Sequence, residues 1–353
     1  MYHMRKTDAK RPTLRDVSRI SGVSIGTVSK YINDPYSVKE NNRIAIADTI
    51  KILNYTPNTL AQRLAKGNSN TILLYSLSER TINPSTWLHQ LPLIQSLSDT
   101  LQNTEYSLQI KIGSVFDKES YSYIKNCIDR HSIDAIVILS AWTVPKDIIL
   151  MMLKEDFPFV LIDSRNPVLN SNEILFDNHQ ITEGWVDQLY ALGHRKIGFI
   201  HVNNAQQHMS SRFNGYCDGM KKHGLEIRPG YVQYGDFSID SGYACINKML
   251  DDGIPCTALI CGNDNMAVGA VKAIKAHGLS VPDDISVVGI DDSVLAQACD
   301  PVLYTVHIPM AEMGRLAVEE LLQRIDNPDY QIDSTTIPFY FVEGASIGKA
   351  KQP

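Results

Sequence analysis

No stretch of about 20 apolar residues in this chain runs free of charge, so a membrane-spanning helix is not expected. The basic residues of Met1 to Lys10 are followed by no apolar run, which argues against a secretory signal. None of the six cysteines (Cys127, Cys217, Cys245, Cys256, Cys261 and Cys299) forms a CxxC pair. They read as reduced thiols of a cytoplasmic protein. A GxGxxG opening a helix, a phosphate loop of the form GxxxxGK(S/T) and an HExxH zinc motif are all missing. The ten histidines are dispersed, and His194 and His201 have no metal-like partner. Asp291-Asp292 is a carboxylate pair without an accompanying base, nucleophile or metal set. Catalysis is therefore disfavoured, and neither cofactor nor metal is expected. Repeats of solenoid length and low-complexity tracts are absent as well.

What the chain does have is length and an uneven charge. Its 353 residues, 44 % of them hydrophobic, suffice for two or three domains at roughly 100–200 residues each. The net charge of −6 alone argues weakly against nucleic acid. Residues 1–68, however, hold 12 Lys and Arg against 5 Asp and Glu, a balance of +7. The remainder holds 21 against 34, a balance of −13. A small basic head on an acidic body confines the attraction for a polyanion to the head.

The head reads as three short helices. Thr13-Leu14-Arg15-Asp16 is a capping-box-like start, with Leu14, Val17 and Ile20 on one helical face. Gly22-Val23 breaks that helix, and Ser24 caps a second one that runs to about Ile32 and ends at Asn33-Asp34-Pro35. Ser37-Val38-Lys39-Glu40 reads as another capping box, opening a helix with Ile44, Ala47, Ile50 and Leu53 at helical spacing. Asn58 to Ala65 is a fourth, marginal helix that is expected to fold only when something orders it. Lys66 to Asn70 reads as a linker. The expected organisation is residues 1–56 as an all-α head, 57–70 as hinge and linker, and 71–353 as an α/β core.

From Thr71 onward short apolar strands alternate with amphipathic helices. Strands are expected at 72–77, 107–112, 135–139, 159–162, 197–201, 258–261 and 286–290, with helices between them such as 88–102, 179–192, 212–223 and 266–277. Such alternation predicts parallel sheets wrapped by helices, and this length predicts two lobes.

A tight turn between the first two helices fits a helix-turn-helix, in which the second helix presents its N-terminal residues to base edges in the major groove. Ser24, Ile25, Thr27, Ser29 and Lys30 are its expected exposed side chains; the hydroxyls and the lysine suit phosphate and base contacts. The plainer alternative is a small helical domain whose Ser and Thr are only caps.

In the body, the residues just past strand ends are the candidates for ligand contact, because ligands of open α/β sheets sit beyond the carboxyl ends of strands. Asp163, Asn263 and Asp291 each follow a strand, and Arg212 opens the helix after 197–201. Two carboxylates, an amide and a guanidinium can hold the hydroxyls of a small molecule. Each has a plainer alternative: a loop cap for Asp163, a turn cap for Asp291, backbone bonding for Asn263, a surface ion pair for Arg212. Trp87 and Trp142 fall near strand ends, where a ring can stack on the apolar face of a sugar. Trp185 reads as packing, and Asp177 reads equally well as a cleft residue or a helix cap.

Several motifs resemble the lactose-repressor (LacI) family in order and spacing. They are Thr13-Leu14-Arg15-Asp16-Val17, Gly22-Val23-Ser24, Thr27-Val28-Ser29-Lys30, Asn33, Asn54-Tyr55-Thr56-Pro57-Asn58, Ala61 and Leu64. The likeness continues through Leu192-Gly193-His194-Arg195, Arg212-Phe213-Asn214-Gly215-Tyr216, Asn263-Asp264-Asn265-Met266 and Asp284 to Asp292. The resemblance implies a helix-turn-helix headpiece on a periplasmic-binding-protein-like core of two Rossmann-like lobes with an effector between them. It implies DNA contacts from Thr13, Leu14, Ser24, Ile25, Gly26, Thr27, Ser29, Lys30, Asn33, Asn58 and Ala61. It also implies that Leu64 wedges into a minor-groove step of a bent operator. Effector contacts are implied for Asp163, Arg212, Asn263 and Asp291, and a structural role for His194. Gly26 offers no side chain where the family reads bases, so reading there falls to Ile25, Lys30 or DNA shape.

These readings imply a cytoplasmic homodimeric repressor on a near-palindromic operator, responsive to a small molecule of carbohydrate type. The tail after Phe341 shows no heptads, which favours a dimer over a tetramer. Inducer and corepressor action stay open. Alternatives are a non-sugar ligand, a protein co-regulator such as a phosphocarrier, or a binding module or enzyme whose head only oligomerises.

Overall fold

The computed structural model describes residues 12–56, 68–78, 89–114, 118–140, 143–202 and 207–351. By its internal contacts the chain divides into Met1–Ser69 and Asn70–Pro353.

The head contains α1 (Leu14–Ser21), α2 (Ile25–Asn33) and α3 (Glu40–Leu53). The Thr13 hydroxyl accepts from Asp16 N–H at 3.4 Å, and the Asp16 carboxylate accepts from Thr13 N–H at 3.0 Å, so the capping box is formed. Gly22 ends α1 at φ 69°, a left-handed conformation that glycine adopts without strain. Ser24 Oγ caps α2 by accepting from Thr27 N–H at 3.3 Å. Val17, Val28, Ile46 and Tyr55 form the core.

One expectation about the head fails. The second capping box is not made, because Ser37 Oγ donates to Asp34 O at 2.7 Å and closes a short 3-10 turn over Pro35–Ser37. The third helix therefore starts at Glu40 behind Lys39, which provides no side-chain cap. Ile20 and Ile44 lie on helices as their spacing implies, but are 48 % and 55 % exposed. A three-helix unit this small buries only a narrow stripe of each helix, and on α3 that stripe carries Ile46 and Thr49.

The body holds two parallel sheets. The first joins β1 (Thr71–Ser78), β2 (Ser107–Ser114), β3 (Ala135–Ser140), β4 (Phe159–Ile162), β5 (Glu173–Leu175) and β11 (Thr335–Thr336) in the order β11-β5-β4-β3-β1-β2. One face packs on α4 (Leu91–Leu101) and α12 (Met310–Asp326), the other on α5 (Lys118–Asp129) and α6 (Lys146–Lys154). The second sheet joins β6 (Ile197–Val202), β7 (Val232–Gly235), β8 (Ala258–Cys261) and β9 (Ser286–Val288) in the order β7-β6-β8-β9. It lies between α7 (Asn178–Ala191) with α8 (Gln207–Lys222) and α9 (Ile239–Asp251) with α10 (Asp264–Ala276). A short helix, α11 (Val294–Ala298), follows β9. The expected strand 286–290 is three residues long, because Gly289 N–H and Asp291 N–H turn to Tyr304 O and Val306 O instead of to β8.

The chain crosses between lobes after β5, between β10 (Thr305–His307) and α12, and between β11 and β12 (Tyr340–Val342). β10 and β12 pair antiparallel beside these crossings. Trp185 lies there as the expected packing residue, fully buried against Tyr304 and Phe341, its Nε1–H donating to Gly289 O at 3.1 Å.

α7 and α8 touch with almost no gap. A Cβ on Gly215 would lie 2.1 Å from His179 O and 2.4 Å from Thr182 Oγ1. Replacing Gly215 with Ala is expected to part these helices and cost about 1–3 kcal/mol, read as a lower denaturant midpoint with an unchanged m-value. An unchanged midpoint would mean the pair has slack.

Candidate nucleic-acid interface and effector cleft

On the head, Thr13, Ser24, Ile25, Gly26, Lys30 and Asn33 are exposed, while Leu14, Thr27 and Ser29 are half-buried. Ser24 Oγ and Thr27 Oγ1 lie 2.8 Å apart at the open N-terminus of α2. A Cβ on Gly26 would meet nothing within 4 Å, so backbone is presented bare at the point where α2 begins. Gly22-Val23-Ser24-Ile25-Gly26 has the GxSxG spacing of a hydrolase nucleophile elbow. It joins two helices rather than a strand and a helix, and its serine is a helix cap. Asn58, Ala61 and Leu64 lie outside the described residues, as do Trp87 and Trp142.

In the body, Asp163, Asn263 and Asp291 stand just past strand ends as expected, whereas Arg212 does not open its helix: α8 starts at Gln207 and Arg212 lies in its second turn. Asp163 follows β4 at φ 54° and Asp291 lies beyond β9 at φ 129°. Both φ values are uncommon for a residue with a Cβ, each costing roughly 1–3 kcal/mol and often found at binding sites. Arg212 is buried on α8. Its Nε donates to Asn178 Oδ1 at 2.6 Å and its Nη1 to Gly262 O at 2.5 Å. Asn178, at the start of α7, donates through Nδ2 to Asp163 Oδ1 at 3.3 Å. An amide therefore links the strand-end carboxylate of one lobe to the guanidinium of the other.

Asn263 is placed differently. Its Oδ1 accepts from Met266 N–H at 2.9 Å as the cap of α10, and its Nδ2 donates to Phe237 O at 3.2 Å. The plainer alternative, backbone bonding, describes both contacts. Asp177 likewise takes its capping role, accepting from His179 and Gln180 N–H. His194 is structural: its ring nitrogens lie 3.0 Å from Thr257 Oγ1 and Gly348 O.

Burial raises the Asp291 carboxyl above the ordinary carboxylate range; Arg212 opposes the rise and Asp163 adds to it. Asp264, fully buried on α10, is raised by burial and by Asp291. It accepts from Thr305 Oγ1 at 2.6 Å and from Ser293 N–H at 2.8 Å. Among the described residues no group of three or more His, Cys, Asp or Glu could hold a metal ion, and no helix is long and apolar enough to cross a membrane.

One residue of this chain of hydrogen bonds escaped the sequence reading. Asn178 sat beside the chosen Asp177, but nothing in local pattern reveals a bond to residues 15 and 34 positions away.

Comparison with known proteins accounts for both units. Residues 13–58 match the model of bacterial regulatory proteins of the lacI family, and residues 186–347 match a periplasmic binding protein-like domain. The repressor PurR of Haemophilus influenzae is 30 % identical over 320 residues, 90 % of this chain and 92 % of the relative. The chain belongs to the LacI family. The ribose operon repressor of Escherichia coli is 31 % identical over 320 residues, covering 90 % of this chain and 94 % of that one. Among solved structures, the Lac repressor dimer bound to operator and the anti-inducer ONPF superposes with a TM-score of 0.83 at 26 % identity, over 96 % of this chain and all of that one. The CelR–cellobiose complex gives 0.70 at 25 % identity, over 95 % of this chain and all of that one. These relatives are transcriptional regulators, and the LacI-family architecture of DNA-binding head and ligand-binding core is the one described above.

The raised carboxyls make a pH prediction. A carboxyl whose folded pKa lies above its unfolded value favours folding while protonated, and that contribution is lost as pH rises through the folded value. Asp291→Asn is therefore expected to raise the melting temperature more at about pH 8 than at about pH 5, by an amount on the order of 1 kcal/mol or more at the higher pH. Equal effects at both pH values would show that ionising Asp291 is not opposed.

Proposed function

We propose that this LacI-family regulator is a cytoplasmic homodimeric repressor whose affinity for a near-palindromic operator is set by a carbohydrate or carbohydrate derivative held between its lobes. The observation that carries the effector half is the chain Asp163–Asn178–Arg212–Gly262, which brings a carboxylate and a guanidinium from different lobes to one cleft. Asp291, within electrostatic reach of both, supplies a second acceptor. Hydroxyls that donate to Asp163 and Asp291 and accept from Arg212 would draw the lobes together. Asn263, Trp87 and Trp142 complete the proposed effector set. These groups hold a ligand through hydrogen bonds, and the reading calls for no catalysis.

For the DNA half, residues 1–56 act as the reader, 57–70 as the hinge and 71–353 as the sensing and dimerising core. Thr13, Leu14, Ser24, Ile25, Gly26, Thr27, Ser29, Lys30 and Asn33 are assigned to the major groove and its phosphates, and Asn58, Ala61 and Leu64 to the hinge contacts. Support comes from the basic balance of the head and from relatives named as repressors, one of them solved on its operator.

The first test is a thermal melt against sugars, sugar phosphates, nucleobases and amino acids. A ligand at about 100 times its dissociation constant adds about 2.7 kcal/mol, visible as a raised melting temperature. A sugar that stabilises wild type and not Arg212→Ala supports the reading; stabilisation by nucleobases alone would overturn the carbohydrate assignment. DNA affinity should fall steeply with salt. Leu64→Ala should weaken operator binding far more than non-specific binding, and equal losses on both would remove Leu64 from the hinge role.

A further inference from the structure

His201 is the one histidine among the described residues with a buried ring nitrogen, Nδ1, that finds no hydrogen-bond partner. It lies on β6, whose residues alternate between two faces. Ile200 and Val202 join the core beneath α9 and α10, while Phe199 joins the core beneath α7 and α8. His201 shares the face of Phe199. Its ring stacks at 5.5 Å on Phe199, at 5.3 Å on Phe213 and at 5.8 Å beside Tyr234, so its apolar faces are covered.

A phenyl ring would fill this stack equally well. An imidazole there leaves a polar atom unsatisfied, which costs stability unless something else serves it. The contrast with His194 is direct, since both its ring nitrogens are bonded within the fold. Position suggests what serves His201. β6 and β8 are the neighbours at which the strand order of the second lobe reverses, the place where ligands of such sheets bind. Phe213, which stacks on the ring, adjoins Arg212, whose guanidinium reaches Gly262 just past β8. Burial and the charge of Arg212 lower the imidazole pKa to about 4, so the ring is neutral at physiological pH.

We propose that His201 is a specificity-determining residue of the effector cleft, its Nδ1 forming a hydrogen bond with a hydroxyl of the bound carbohydrate. This rests on the carbohydrate reading of the cleft given above. A neutral imidazole nitrogen either accepts from a hydroxyl or donates to it, according to tautomer. The bond completes a buried group only when ligand is present, so His201 selects ligands that place a hydroxyl there.

The test uses full-length wild type, His201→Phe and Arg212→Ala, titrated with D-glucose, D-galactose, D-ribose and cellobiose. His201→Phe keeps the stack and removes the ring nitrogens. Without sugar it is expected to melt at or above the wild-type temperature. For the sugar that wild type binds, its affinity is expected to drop about tenfold or more. In wild type, the imidazole 15N resonances of His201 should shift when that sugar is added. Unchanged affinity in His201→Phe, with Arg212→Ala losing its response, overturns this proposal and leaves the carbohydrate reading intact. A marked fall in the sugar-free melting temperature of His201→Phe also overturns it, because the ring nitrogens would then serve the fold. Wild type that binds none of the four sugars, together with unmoved His201 resonances, overturns both.

Discussion

A buried guanidinium needs fixed acceptors, and Arg212 draws much of the second lobe's geometry around that need. A cation removed from water destabilises the fold unless paired and hydrogen-bonded. Arg212 meets this with the Asn178 amide and the Gly262 carbonyl, while its own carbonyl accepts from Thr182 Oγ1 at 2.6 Å. α7 and α8 are thereby held together, and only a glycine at 215 lets the helices approach that closely. The same charge opposes the rise in the Asp291 pKa and adds to the burial that lowers the His201 pKa.

The cleft is less comfortable than the rest of the core. Asp163, Asp291 and Asp292 all have positive φ, Asp264 and Asp291 are raised by burial, and Asp292 and His201 each keep a buried polar atom without a partner. Next to them the packing is dense and apolar: Trp185, Tyr304 and Phe341 meet edge to face beside the crossings. Strain in the cleft supported by firm packing behind it is how binding sites are commonly arranged, since groups left unsatisfied in the free protein are available to a ligand.

Much of the architecture was legible because periodicity is local. Runs such as Ala135 to Leu139 and Ala258 to Cys261 are apolar throughout, as strands covered on both faces must be, and both are fully buried strands in the fold. Caps were legible where a side chain reaches only three residues, as at Thr13 and Ser24. Where two local solutions compete, pattern failed. Ser37 had a carbonyl at Asp34 within reach as well as a helix to cap, and the turn prevailed. Ile20 and Ile44 had helical spacing, but spacing does not say which side of a small head faces its core.

The cleft divides along the same line. The strand-end rule picks out Asp163, Asn263 and Asp291 from sequence alone, because the end of an apolar run marks where a strand leaves its sheet. The sequence by itself therefore determined the two-part plan, the basic head, the alternating core and a short list of polar residues at strand ends. Tertiary structure alone decided which of those groups bind one another. It spent the Asn263 oxygen as a helix cap, inserted Asn178 between Asp163 and Arg212, and left His201 Nδ1 without a partner. Those outcomes depend on residues far apart in the chain arriving within about 3 Å of one another, the reach of a hydrogen bond. Local pattern has no means of expressing such distances.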